Sequence, residues 1–196
     1  MKTKAPRSQT GVVMVMTLIC LVLMLVAAVA LTRSSTNSLL LAGNFAFKRD
    51  MQNQGERGMA AAVAMLNSGS LATEATRTAD QLASNYVASK LASNAQGIPL
   101  VLINETTYAA TNLTLADISD STAGVSIRVV IDRQCVAVGA FDSANCVSST
   151  EETNGSQAGT QRLTRPNGES RPTYRISVRV TGPRNTQTFQ QMVLAL

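Results

Sequence analysis

Histidine is absent from the 196-residue chain, and so is tryptophan. The first absence removes the side chain most used as a general base and as a metal ligand near neutral pH. No G-x-S-x-G elbow, phosphate-cradling G-x-x-x-x-G-K loop or G-x-G-x-x-G fingerprint occurs. Any metal site would have to be made of carboxylates and carbonyls, and the expectation is a protein that is not an enzyme and carries no cofactor. Aromatic residues make up only 4% of the chain, so a folded core must be small and aliphatic. Charge is missing altogether between Arg7 and Arg33.

That uncharged stretch holds the longest apolar run, Val12 to Leu31. As a helix it would measure about 30 Å, the thickness of the hydrocarbon part of a bilayer. Lys2, Lys4 and Arg7 precede it, which predicts a cytoplasmic N-terminus with the rest of the chain translocated. A cleaved secretory signal is the rival reading, with Ala28-Val29-Ala30 as its small-x-small cleavage site. Against it, the run exceeds the usual ~7–15 residues of such signals and passes into Arg33 without a turn. The net charge of +5 rests largely on the three leading cations: without them 17 − 3 = 14 basic residues face 12 acidic ones.

Beyond the run, Leu41, Phe45, Gly55, Met59, Ala62 and Leu66 recur at helical spacing, interrupted by Lys48 and Gln52. Asn67-Ser68-Gly69-Ser70 marks the stop. One helix from Val12 to Leu66 would be about 80 Å long. In the remainder, Leu71, Ala75, Leu82, Tyr86 and Leu91 predict an amphipathic helix within 71–96, and Pro99 to Ile103 reads as the start of a strand. Val125–Ile131 and Tyr174–Thr181 alternate apolar and polar as strands do. In the second of these, Tyr174, Ile176, Val178 and Val180 are expected to face a core, with Arg175, Ser177, Arg179 and Thr181 facing out. Gly182-Pro183-Arg184-Asn185 is turn material before a last strand, Thr186–Leu196. The polar stretch from Ser148 to Pro172 reads as a long surface loop.

Several of these stretches resemble a known family. Gly11 stands directly before the apolar run; Arg33-Ser34-Ser35, Ala42-Gly43-Asn44 and Gly55-Glu56-Arg57-Gly58-Met59 follow; Tyr174–Gly182 closes the pattern. The chain resembles PilX-type minor pilins of the type IV pilus, which are related to the K-type pseudopilins of type II secretion. The resemblance covers residues 11–60 and the closing strand, and does not extend to the middle. It implies a basic leader, 1–11, cut after Gly11 by a prepilin peptidase, so that the mature chain begins at Val12. It implies a transmembrane helix over 12–32, its stalk continuation over 33–66, and a periplasmic head over 67–196. The fold implied is α+β, a long N-terminal helix packed on a small antiparallel sheet. The family's glutamate would correspond to Glu56. Most pilins carry another glutamate at mature position five, where this chain has Met16; lacking it resembles the subunits placed at a filament tip or initiation complex. Partners implied are other minor pilins, the major pilin, the peptidase and the inner-membrane assembly platform. The alternative is a periplasmic binding or adhesion module on an uncleaved anchor.

Three smaller readings concern the head. Cys20 lies in the apolar run, whereas Cys135 and Cys146 fall in the translocated part, where an oxidising setting favours a disulfide. Arg175, Arg179 and Arg184 could make a patch for an anionic partner such as DNA, although exposed arginines on a solvated strand are commonplace. Asp117, Asp120, Asp132 and Asp142 could offer oxygen ligands to calcium, but they lack EF-hand spacing and solvated carboxylates are common.

Overall fold

The structure, a computed structural model, describes residues 10–150 and 170–196. The leader expected over 1–11 lies almost wholly outside these residues, and so does most of the expected loop. The chain divides between Arg49 and Asp50 into two units.

The first unit is helical throughout its described part. Helix α1 runs from Thr10 to Ser68 and so continues into the second unit. It ends near the Asn67–Ser70 signal, where the Gly69 and Leu71 amides donate to the Met65 carbonyl.

In the second unit the last five turns of α1 bury one stripe, Met51, Gly55, Gly58, Ala62 and Leu66. Spacing of four, three, four and four keeps these positions on one face. Beneath them lies a six-stranded sheet. Its long strands are β3, Val125–Arg133, β5, Ser170–Thr181, and β6, Gln187–Ala195, joined antiparallel in the order β3-β5-β6. Three short strands complete it: β1, Tyr86–Val87, runs parallel to β3, while β2, Ile118–Asp120, and β4, Ser148–Thr150, pair antiparallel with β3 and β5. The α+β architecture therefore holds, with one parallel pair in an otherwise antiparallel sheet.

Register explains the core. Ile127 faces Val180, Val129 faces Val178, and Ile131 faces Ile176 across β3 and β5, placing β-branched side chains in direct cross-strand contact. All six are buried, together with Met51, Ala62, Leu66, Leu71, Tyr86 and Tyr174. Two glycines of α1 permit the approach of helix to sheet. A Cβ at Gly58 would lie 2.8 Å from a methyl of Ile127 and 2.9 Å from one of Val178, and a Cβ at Gly55 would strike the Gln190 side chain.

Two expectations fail between the helix and β3. The 71–96 segment is not an amphipathic helix; it contains one short helix, α2, Glu74–Arg77, then a single 3-10 turn and β1. Its polar side chains bind nearby backbone instead: the Thr76 amide donates to Thr73 Oγ1, the Ala88 amide to Asp80 Oδ1, and Asn85 turns the chain at φ 48°. Such local bonds compete with helix propagation. The expected strand at Pro99–Ile103 is the helical turn α3, Leu100–Ile103, followed by α4, Glu105–Ala110. Asn104 caps α4, its side-chain oxygen accepting from the Thr106 amide. The expected loop from Ser148 to Pro172 begins and ends in strand, since β4 pairs with the first three residues of β5.

Candidate assembly helix

Between Val12 and Leu31 the apolar side chains of α1 are exposed, as Leu21 at 67% and Met24 at 72% illustrate. This is a helix long and apolar enough to cross a membrane. The threonine hydroxyls within and just after it are satisfied internally. Thr17 donates to the Met14 carbonyl at 2.9 Å, Thr32 to Ala28 and Val29, and Thr36 to Thr32. A polar group left unpaired in hydrocarbon would cost several kcal/mol, so these return bonds make the segment compatible with lipid. Cys20 is exposed on the same helix.

Gly11 and Gly43 differ from the two glycines at the sheet: a Cβ at either would meet nothing within 4 Å. The described contacts of the fold give no reason for glycine at position 11. Met16 is 61% exposed. Glu56 is exposed between the two glycines that seat α1 on the sheet, and makes no ion pair among the described residues. The motif around it thus has a packing role in its glycines and an unengaged carboxylate at its centre.

Cys135 and Cys146 form the disulfide expected of them. They close a segment that leaves Val136 and Val138 exposed.

The basic strand face is where structure departs furthest from expectation. Arg175 and Arg179 do share one face of β5, but that face is covered, and they are only 8% and 6% exposed. Arg175 binds both oxygens of the fully buried Asp132, at 2.9 and 2.7 Å, and donates to Ser93 Oγ and to the carbonyls of Leu91 and Gly97. Arg179 donates to the Leu102 carbonyl and pairs with Glu105. Each guanidinium anchors the 91–105 segment to the sheet and is not available as a patch. Arg184 alone of the three is exposed, at a turn with φ 58°.

Glu105 is the hub of this covering layer. It accepts from Arg128 and Arg179, both at 2.7 Å, and hydrogen bonds from Arg128 first and then Arg179 hold its carboxyl below the usual range. Arg128 also grips Asp117 and lies 4.1 Å over the Tyr108 ring. Burial would lower the Arg128 pKa, but its hydrogen bonds to Asp117 and Glu105 outweigh that and raise it. The four aspartates offered for calcium are dispersed into separate bonds. Asp132 holds Arg175, Asp117 holds Arg128, Asp120 accepts from the Thr122 and Ala123 amides, and Asp142 accepts from the Ala144 amide. No group of three acidic or cysteine ligands gathers among the described residues. Sequence reasoning missed the Asp132–Arg175 and Glu105–Arg179 pairs. The available signal was Asp132-Arg133 following directly on the apolar run Val129-Val130-Ile131 within one strand.

Compared with known proteins, the chain matches no family model, no characterised protein and no solved structure.

Proposed function

We propose that this chain is a minor pilin, a structural subunit without catalytic activity, that enters a type IV pilus at its tip or initiation complex. The observation that carries the proposal is the division of labour along α1. Its last turns are committed to the sheet through Met51–Leu66, whereas its Val12–Leu31 stretch carries no charge and leaves its apolar side chains exposed. A surface of that kind suits lipid first and packing against similar helices afterwards, where small residues such as Ala27, Ala28 and Ala30 favour close approach. The absence of any packing need for glycine at position 11 supports recognition of that residue by a prepilin peptidase before assembly. Cations ahead of the span support a cytoplasmic N-terminus in the inner membrane, with the head in the periplasm. The disulfide supports the same side for the head.

Partners on this reading are the other minor pilins, the major pilin and the assembly platform. An anchored module that grips DNA or a surface through its last strands would need Arg175 and Arg179 at the surface, and their burial removes the feature that favoured it.

The test is the N-terminus of the mature protein, read by mass spectrometry from bacterial membranes with and without an active prepilin peptidase. Val12, dependent on the peptidase, is the expected result. Leu31 would mark a secretory signal and Met1 a plain anchor, and either one in the presence of the active peptidase overturns the proposal.

A further inference from the structure

Two arginines of the head are buried without a carboxylate. Arg133 is fully buried and Arg77 is 8% exposed. Arg128, Arg175 and Arg179 each have an acidic partner, but no ion pair among the described residues involves Arg77 or Arg133. They lie in one place. Arg133 and Tyr174 are directly opposed across β3 and β5, so their side chains leave the same face of the sheet. Tyr86 shares that face through its pairing with Ile131, and its ring centroid is 6.4 Å from that of Tyr174. The Arg77 guanidinium lies 5.2 Å over the Tyr174 ring, and the Tyr86 hydroxyl donates to the Arg77 carbonyl. Arg133 is oriented by bonds to the Ala88 and Gly139 carbonyls, and the Gly139 amide donates to Thr78, next to Arg77.

Within this cluster three buried polar atoms have no hydrogen-bond partner: Arg77 Nε, Arg133 Nη1 and the Tyr174 hydroxyl oxygen. Both nitrogens are obligate donors, and the phenol has a hydrogen to give. Buried donors left unpaired are costly, and buried charge without a counter-charge more so. The carboxylates close enough to act on the two phenols, Glu74 and Asp80, are exposed and pair with neither arginine. A water molecule could meet these hydrogen bonds but would leave both guanidinium charges uncompensated. A phosphate would bring more acceptor lone pairs than these free donors match.

We propose that Arg77, Arg133 and Tyr174 form an internal site for one small monovalent anion of halide size, chloride in most biological fluids. Bound there, the anion ties α2 and the disulfide-closed segment to the ends of β3 and β5. The site is independent of the pilus reading and stands or falls separately.

The experiment follows thermal unfolding of the full-length protein in detergent. Chloride is titrated against gluconate, a larger anion, at constant ionic strength. A saturable rise in Tm is expected, about 3–6 °C when chloride reaches ten times its Kd. Arg77→Gln and Tyr174→Phe should fold and lose most of that dependence, whereas Arg184→Gln, at the exposed turn, should keep it. Crystals grown in bromide should show one anomalous peak between Arg77 and Arg133. Equal Tm in chloride and gluconate, an undiminished dependence in Arg77→Gln, or a water in place of bromide would each overturn the site.

Discussion

Adding one methyl group at three glycines of the same helix should give three different results. At Gly58 the new Cβ would stand 2.8 Å from Ile127 Cγ2, 2.9 Å from Val178 Cγ1 and 3.3 Å from Val129 Cγ2. These are methyls of β-branched residues in the two central strands, held in cross-strand register and stiff at χ1. They cannot swing aside, so the helix must lift or the strands must part, at about 1–3 kcal/mol for overpacking. Alanine recovers about 1 kcal/mol of helix propensity, which leaves Gly58→Ala destabilising by about 1 kcal/mol, with a larger loss for Gly58→Val. At Gly55 the obstacle is the far end of the Gln190 side chain, 2.5 Å away. That amide can rotate out at the expense of its bond to the Gln52 carbonyl. A lost exposed hydrogen bond of roughly 0.5–1 kcal/mol offsets the propensity gain, so Gly55→Ala should be near neutral. At Gly43 nothing lies within 4 Å, and the substitution should leave the head unchanged. The assay is denaturant unfolding followed by the fluorescence of Tyr86 and Tyr174, which are buried in the head core and undisturbed by any tryptophan. Equal midpoints for Gly58→Ala and Gly43→Ala would refute the claim that Gly58 is there for close approach.

Other outcomes follow from the same contacts. Asp132→Asn leaves Arg175 charged and buried without its partner, and the unfolding free energy should drop by about 3–5 kcal/mol; a drop below about 1 kcal/mol would show the pair to be dispensable. Replacing both Cys135 and Cys146 by serine opens a closed segment with a sequence separation of 11, and should lower stability by about 3 kcal/mol, matched by adding reductant to the wild type. The Glu105 carboxyl is held low in the folded state, so its contribution is present above the unfolded value near 4.5 and disappears as pH falls through the lower folded value. Because Glu105 is 62% exposed, that contribution is under about 1 kcal/mol. Glu105→Gln should flatten the acid limb of the stability curve by that amount and leave pH 7–8 slopes alone.

How much of this could be read from residues alone depended on whether the cause was local. An uncharged run with cations ahead of it and apolar or small residues recurring from Leu41 to Leu66 are properties of one helix, and α1 was legible, although Leu41 and Phe45 are exposed and the buried stripe passes through Gly58 rather than Met59. Alternation in Val125–Ile131 and Tyr174–Thr181 gave β3 and β5 for the same reason. It also gave two faces, but alternation cannot say whether the polar face meets water. Arg175 and Arg179 looked solvent-facing because the layer over them, 91–105, is remote in sequence and docks through carbonyls of Leu91, Gly97 and Leu102, which leave no trace in side-chain identity. Leu100–Ile103 failed for another reason: a short apolar run has no period long enough to separate one helical turn from a strand. The unpartnered donors around Tyr174 were beyond reach, since they depend on which chain segments come together at the end of the sheet.

The central place of Ser170–Thr181 has a consequence for biogenesis. A ribosome delivers this chain from its N-terminus, and for the first 169 residues Val125–Arg133 has no long neighbour to pair with. Met51, Ala62 and Leu66 likewise await the surface on which they finally rest. The core of the head therefore cannot close until β5 and β6 have been delivered. Until then the nascent molecule exposes bare sheet edge and grease, and depends on whatever shields it from its neighbours.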